Sequence, residues 1–326
     1  MVNKIKNIAV LTSGGDAPGM NACIRAVVRT ALYYKMEVFG IHRGYSGMIR
    51  GDIVPMVSHD VSSILQLGGT ILQSARSEKF RTPAGRKRAF NQLKKFGIEG
   101  LVAIGGDGTF SGASVFAAEF PISIVGVPGT IDNDLYGSDF TLGFDTAVNT
   151  AMTCIDNIKD TANSHNRLFF VEVMGRDAGF IALRSGIASG AEAVLIPEKK
   201  TNVDELIKLL AKNYKRKKSS SIVVVAEGEE TGGAFEIADM VKKKLSHLDM
   251  RVTVLGHLQR GGRPTAFDRV LGSRLGMEAV KALKEGKKGV MVGQIHTGIE
   301  YTPFENACKH NLEINPVMVD MVKILS

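Results

Sequence analysis

A chain of 326 residues, 44% hydrophobic and 23% charged, is long enough for two domains with buried cores and sits near globular averages. No apolar run approaches the roughly 18 residues of a membrane-spanning helix, so no membrane is expected as a partner. The net charge of +8 admits nucleic acid, yet "KRKK" at 215–218 and the basic stretch at 86–88 lack zinc-finger spacing or an RNA-binding aromatic pattern, so a solvated basic face and small anionic ligands fit better.

In chain order, strands are predicted at 7–12, 37–42, 101–105, 122–127, 167–173, 193–197, 221–227, 251–256 and 289–295. Helical stretches between them include Met20–Tyr34, Arg86–Phe96, Asp145–Ala162, Val203–Tyr214 and Arg269–Glu285. Strands alternating with helices imply βαβ units, and their continuous apolar runs suit sheets covered on both faces. The fold class is α/β, with doubly wound, mainly parallel sheets. The N-terminal apolar segment stops at Leu11, too short for the core of a signal peptide. Cys23, Cys154 and Cys308 have no metal-ligand spacing and read as buried thiols. A soluble, cytoplasmic protein is expected.

Ligands of doubly wound sheets bind beyond the carboxyl ends of the strands. Four segments at such ends are the richest in glycine and carboxylate: "TSGGDAPGMN", "GGDGTFSG", "PGTIDND" and "EVMGRDAG". The first is a glycine-rich turn into a helix, where backbone N–H groups and the helix end favour an anion. In the second, Gly106, Gly108 and Gly112 nearly reproduce the dinucleotide fingerprint, but Asp107 stands between the first two. A carboxylate inside a phosphate-cradling loop calls for a cation, and Mg²⁺ is commonly held by one or two carboxylates plus substrate phosphates. Walker and protein-kinase signatures are missing.

"PGTIDND" sets Asp132 and Asp134 two residues apart, where like charges repel unless compensated. As a solvated turn the pair is unremarkable. Beside the other loops it suits phosphoryl transfer, with Asp132 as base, Asp107 as metal anchor, and Arg76 or Arg176 as the cationic clamp. Arg167, Arg251, His257 and Arg260 form a second cationic set at strand boundaries, which suits an acceptor carrying its own phosphate.

From Ile8 to about Gly293 the motifs "LTSGGDAPGMNACIRAVVR", "GGTILQSAR", "IGGDGT", "PGTIDND", "GFDTA", "SHNR", "VEVMGRDAG", "RVTVLGHLQRGG" and "FDR" follow one another in a familiar order. The chain resembles the bacterial-type ATP-dependent 6-phosphofructokinases. That resemblance implies transfer of the γ-phosphoryl group of ATP to the 1-hydroxyl of fructose 6-phosphate, with Mg²⁺ as cofactor. It implies two Rossmann-like α/β/α domains between which the chain crosses more than once. Residues 1–143 with 259–309 would bind ATP and Mg²⁺, and 144–258 with 310–326 fructose 6-phosphate.

By motif, the catalytic group is Asp132 as general base with Thr130, Asp134 and Arg176. Gly15, Arg76, Ser77, Gly106, Asp107, Gly108 and Thr109 would bind ATP, Asp107 also holding the metal. Thr130, Ile131, Asp132, Met174, Gly175, Arg176 and Glu227 would face the sugar. Leu258 and Gln259 would also bind substrate, and its 6-phosphate would meet His257 and Arg260 of the same chain and Arg167 and Arg251 of a neighbouring subunit, within a homotetramer. An effector pocket for ADP or phosphoenolpyruvate would use Arg25, Arg29, Lys159, Glu192, Arg216 and Lys218. Ser58 and Lys159 replace arginines there, which weakens phosphate binding.

Relatives that use pyrophosphate usually carry Asp at position 108 and Lys at position 129. Both are glycine here, which favours ATP. A lipid or dinucleotide kinase shares only the "GGDGT" loop. A catalytically silent regulatory homologue would have lost Asp132, Asp107 or Arg176. Asp177, beside Arg176, and Gln73 depart from some relatives.

Overall fold

The computed structural model describes residues 5–165, 167–215, 221–310 and 313–326. Its strands are β1 (Asn7–Thr12), β2 (Glu37–Ile41), β3 (Ile53–Pro55), β4 (Gly100–Gly105), β5 (Ser123–Pro128), β6 (Leu168–Val173), β7 (Ala193–Leu195), β8 (Ser221–Ala226), β9 (Met250–Val254), β10 (Val290–Ile295) and β11 (Gly298–Pro303). The helices are α1 (Met20–Tyr33), α2 (Gly44–Arg50), α3 (Pro83–Lys95), α4 (Asp107–Glu119), α5 (Phe144–His165), α6 (Phe180–Ala188), α7 (Val203–Lys215), α8 (Ala234–Lys244), α9 (Ala266–Lys284), α10 (Phe304–Ala307) and α11 (Pro316–Leu325). The chain forms two compact units: Met1–Thr146 with Arg260–Asn311, and Ala147–Gln259 with Leu312–Ser326.

Unit one carries a seven-stranded sheet in the order β11-β10-β5-β4-β1-β2-β3. Its five inner strands are parallel, and the edge strands β3 and β11 run antiparallel to β2 and β10. All six residues of β4 are buried, as a central strand covered on both faces requires. Unit two has a parallel four-stranded sheet in the order β7-β8-β6-β9. Both sheets are doubly wound. In unit one the chain moves outward from β1 to β2, then resumes on the other side of β1 with β4, so the crevice between the β1 and β4 ends is a topological switch point. In unit two β6 is flanked by β8 and β9, which places the equivalent crevice beside β6.

The two edge strands fall outside the predicted set. β3 has three residues, and "GIEYTP" of β11 owes its strand to a hairpin register with β10, Ile295 facing Gly298, more than to its composition. The strand predicted at 251–256 stops at Val254, where a 3-10 turn, Gly256–Arg260, takes over. Arg86 does not join a solvated basic face. It is buried, its Nε and Nη2 both 2.6 Å from the Glu119 carboxylate, with Nη1 donating to the carbonyls of Phe80 and Arg81. Of the three cysteines only Cys23 is buried; Cys154 and Cys308 are half-buried, and all are free thiols. No helix among the described residues is long and apolar enough to cross a membrane.

Asp268 locks the later part of unit one. The Thr265 side chain caps α9 by accepting from the Asp268 N–H, while the fully buried Asp268 carboxylate accepts from Gly143 N, Thr146 N and Thr146 Oγ1 at 2.9, 2.8 and 2.5 Å. Burial pushes this carboxyl from 3.8 up to about 6, against the pull of those three hydrogen bonds. The folded chain therefore keeps a proton between about pH 4 and 6 that the unfolded chain has released. This stabilising contribution, on the order of 3 kcal/mol, is complete below about pH 4 and lost as pH rises through about 6. The Asp268 carboxyl carbon resonance should titrate with a midpoint near pH 6; a midpoint near 4 contradicts the assignment.

Candidate active site

Three loops of unit one meet at its switch point. Beyond β1, Ser13 N donates to Ile104 O at 3.0 Å, and its carbonyl accepts from Thr109 Oγ1 at 3.2 Å, so the Ser13–Gly19 turn is tied to the start of α4. Gly105 makes this approach possible: a Cβ there would collide with Thr109 Oγ1 and stand 2.5 Å from Ser13 O. Gly106 is the N-cap of α4, so Asp107 occupies the first turn, where the helix end favours negative charge. Gly108 is exposed, with nothing within 4 Å of the position of a Cβ. The Tyr45 hydroxyl donates to Thr109 O at 2.6 Å, and its ring stacks 4.0 Å from Phe80, bracing α4 from below.

The Arg76 segment lies beside the same edge. Thr12 Oγ1 donates to Gln73 O at 2.9 Å, and Arg43 Nε donates to Gln73 Oε1 at 2.9 Å. Arg76 itself is exposed, and Ser77 precedes the 3-10 turn Glu78–Arg81. Arg260 also belongs to unit one. Its Nη1 donates to Asp16 O at 3.3 Å, and a Cβ at Gly15 would lie 2.6 Å from that nitrogen, so this guanidinium lies over the glycine turn.

Beyond β5, Gly129 N donates to Gly105 O, which joins the third loop to the second. Thr130 Oγ1 accepts from Asp132 N at 3.2 Å, and Thr141 Oγ1 donates to Thr130 O at 2.5 Å. Asn133 adopts φ +56 between the two aspartates, and its side chain spans Thr141 N and Asp139 O. Ile131, Asp132 and Asp134 are buried, Asp132 at 7% exposure and Asp134 at 4%. The companion of Asp134 is His310, whose Nδ1 stands 2.6 Å from Asp134 Oδ2; its Nε2 is 3.6 Å from Asp107 Oδ2. Asp107 and Asp134 thus flank one imidazole, which no sequence motif announced.

In unit two the carboxyl ends of β6 and β8 form one cluster. Glu227 Oε1 accepts from Arg176 N at 2.7 Å and from Gly175 N at 3.4 Å. Arg176 sits at φ +55, a left-handed conformation that these hydrogen bonds sustain, and Met174 is buried beneath it. Asp177 comes 3.8 Å from Arg176 Nε, with both side chains more than half exposed, so this ion pair is weak. Glu198 accepts from Gly179 N at 2.8 Å, and its carboxyl is pushed upward by burial first and by the Glu229 carboxylate to a lesser degree. His257 and Leu258 are exposed past β9; Gln259 is fully buried, and its Nε2 donates to Gly256 O.

Arg167 and Arg251 lie elsewhere. They stand at the amino ends of β6 and β9, where both clasp Asp249, Arg167 Nε and Arg251 Nη1 each 2.7 Å from its carboxylate. Strand β6, six residues long, separates them from Met174–Arg176 by roughly 20 Å. Within one copy of unit two these two groups of cations cannot touch one small ligand.

Among the expected effector residues, Arg25 and Arg29 are one turn apart on α1. Lys159 Nζ donates to Ser189 O at 2.9 Å, and the buried Glu192 accepts from Asn213 Nδ2 at 2.5 Å. Arg216 and Lys218 lie outside the described residues.

Two doubly wound units with ligand loops at the carboxyl ends of parallel strands define the chain as an α/β protein of the nucleotide- and phosphate-binding kind. It belongs to the phosphofructokinase family, whose description "Phosphofructokinase" matches residues 7–283. It is 55% identical to an ATP-dependent 6-phosphofructokinase 2 of Bacteroides thetaiotaomicron over 99% of each chain. A solved phosphofructokinase of Saccharomyces cerevisiae superposes with a TM-score of 0.89 at 38% identity, covering 93% of this chain, which spans 45% of the yeast one. A pyrophosphate-dependent phosphofructokinase of Marinobacter aquaeolei shares the fold at 23% identity, with a TM-score of 0.84 over 98% of this chain and 91% of its own.

The contrast between two neighbouring glycines is measurable. Gly105→Ala drives a Cβ into Thr109 and the Ser13 carbonyl and should cost about 1–3 kcal/mol in urea unfolding. Gly108→Ala enters open space and should change stability by no more than about 0.5 kcal/mol. Equal effects would refute the close approach of the first two loops.

Proposed function

We infer that the protein transfers the γ-phosphoryl group of ATP to the 1-hydroxyl of fructose 6-phosphate, giving fructose 1,6-bisphosphate and ADP. The observation that carries this reading is the joining, at one sheet edge, of the glycine turn after β1, the Gly106–Thr109 start of α4 and the Asp132–Asp134 loop. The first two loops suit the phosphates of a nucleotide, with Gly15, Arg76, Ser77, Gly106, Gly108 and Thr109 around it. In this reading Asp132, buried in the third loop, takes the proton of the attacking hydroxyl. Met174, Gly175, Arg176 and Glu227 receive the acceptor, Glu227 setting the backbone from which Arg176 projects.

A divalent cation fits the Asp107 carboxylate of unit one. Asp107, half-exposed in the first turn of α4, offers hard oxygen ligands, and Asp134 lies close behind the same imidazole. Among the described residues no group of three or more His, Cys, Asp or Glu is gathered as a metal cage. Mg²⁺ shared between one or two carboxylates and substrate phosphates needs no such cage. When bound, it would neutralise charge on the phosphates. The donor reading rests on Gly108 and Gly129. Gly108 leaves open space for a nucleotide, whereas a Cβ at Gly129 would stand 3.0 Å from both Ile104 and Met20, so a lysine there requires repacking.

The separation of Arg167 and Arg251 from Arg176 leads to assembly. If the arginine pair holds the 6-phosphate, it does so for the site of another copy, which requires an oligomer with shared sites; the resemblance makes that a homotetramer. Asp132→Ser should lower kcat at least a hundredfold while fructose 6-phosphate still binds; near-normal turnover removes Asp132 from the role of base. Reassembling equal amounts of Asp132→Ser and Arg251→Ser subunits should restore about a quarter of wild-type activity at low fructose 6-phosphate, because random mixing leaves that share of sites intact. Activity that merely averages the two parents contradicts sharing.

A further inference from the structure

Segment 308–310 is fastened to both acidic loops of unit one. His310 forms an isolated antiparallel bridge with Leu135, and Tyr136 N donates to Lys309 O at 3.3 Å. Cys308 Sγ lies 3.6 Å from Asp107 O and accepts from Ser111 Oγ at 3.4 Å, so the same three residues also clasp the first turn of α4. Backbone and side-chain contacts thus deliver the imidazole to one place, with its two nitrogens facing two different carboxylates.

The two contacts differ in kind. A carboxylate accepts, so the Nδ1–H donates to Asp134 Oδ2; at 2.6 Å this is a short, charge-assisted hydrogen bond to a side chain only 6% exposed. A carboxylate so buried is costly without a partner. The 3.6 Å between Nε2 and Asp107 Oδ2 exceeds hydrogen-bonding range, and the Asp107 side chain is 35% exposed. One ring therefore fixes the inner carboxylate firmly and sets the outer one against it.

Resting on the reading of this edge as a Mg²⁺–nucleotide site, we propose that His310 is the positioning residue of its carboxylates. It orients the buried Asp134 through Nδ1 and, standing between the two carboxylates, holds Asp107 apart from it, so that Asp107 meets a divalent cation without rearrangement. Mg²⁺ demands near-ideal geometry, and partners that orient metal-ligating side chains commonly govern affinity by about 10–100-fold. His310 touches neither the nucleotide nor the sugar in this scheme.

The test is binding of Mn²⁺ to the full-length protein in the presence of a non-hydrolysable ATP analogue, read from the electron paramagnetic resonance of free Mn²⁺. His310→Ala should weaken Mn²⁺ binding about tenfold or more. His310→Asn, whose amide replaces Nδ1, should bind within about threefold of wild type, and His310→Gln, whose amide replaces Nε2 alone, should behave like His310→Ala. The Gln and Asn pair decides the matter if the alanine variant does not fold. In steady-state assays the half-saturating free Mg²⁺ should rise in parallel, with the KM for fructose 6-phosphate unchanged. Wild-type Mn²⁺ affinity in His310→Ala or His310→Gln overturns the proposal, as does an Asn variant as weak as Gln. Wild-type protein that binds the Mn²⁺–analogue complex yet phosphorylates no fructose 6-phosphate sinks the functional reading alone.

Discussion

Negative charge at one sheet edge is the constraint around which unit one is arranged. Asp107, Asp132 and Asp134 follow β4 and β5, neighbouring strands, and two of the three are nearly buried. Like charges so placed must be balanced. The chain supplies part of the balance itself: the positive end of α4 beneath Asp107, and His310 against Asp134. Glycine at 105 follows from close packing at the same place, because a Cβ there would meet Thr109 and the Ser13 carbonyl.

Unit two solves a different problem, the placing of positive charge. Arg176 is held at its strand end by a carboxylate, Glu227, that grips its backbone and the preceding N–H. Arg167 and Arg251 share a carboxylate at the other end of the same sheet. Each arginine is thus ordered by a neighbouring acid, Arg176 through its backbone and Arg167 and Arg251 through their guanidinium groups. The length of β6 keeps the two groups of arginines roughly 20 Å apart, so within one copy of unit two they cannot meet one small ligand.

Much of this was legible in the sequence, for physical reasons. Buried parallel strands such as "GLVAIG" write themselves as unbroken apolar runs, and glycine-carboxylate loops stand out at their carboxyl ends. What escaped lies in long-range pairing. β3 and β11 have the register of their neighbours and little pattern of their own. Asp249 looks like any surface acid until two arginines close on it, and His310 sits in "CKHN", far in sequence from the aspartates it serves. Arg86 reads as surface charge but is buried against Glu119, because a bidentate pair offsets its desolvation. Glu227 was expected to face a sugar, and its Oε1 proves to be engaged by backbone N–H groups as well.

The balance of charge at the edge of unit one can be observed directly. Crystals grown with Mn²⁺, fructose 6-phosphate and a non-hydrolysable ATP analogue would reveal the cation by its anomalous scattering. The account predicts one strong peak, about 2.2 Å from an oxygen of Asp107 and in contact with the analogue's phosphates. A cation bound away from Asp107, or phosphates seated elsewhere than over the Gly106–Thr109 turn, would contradict it.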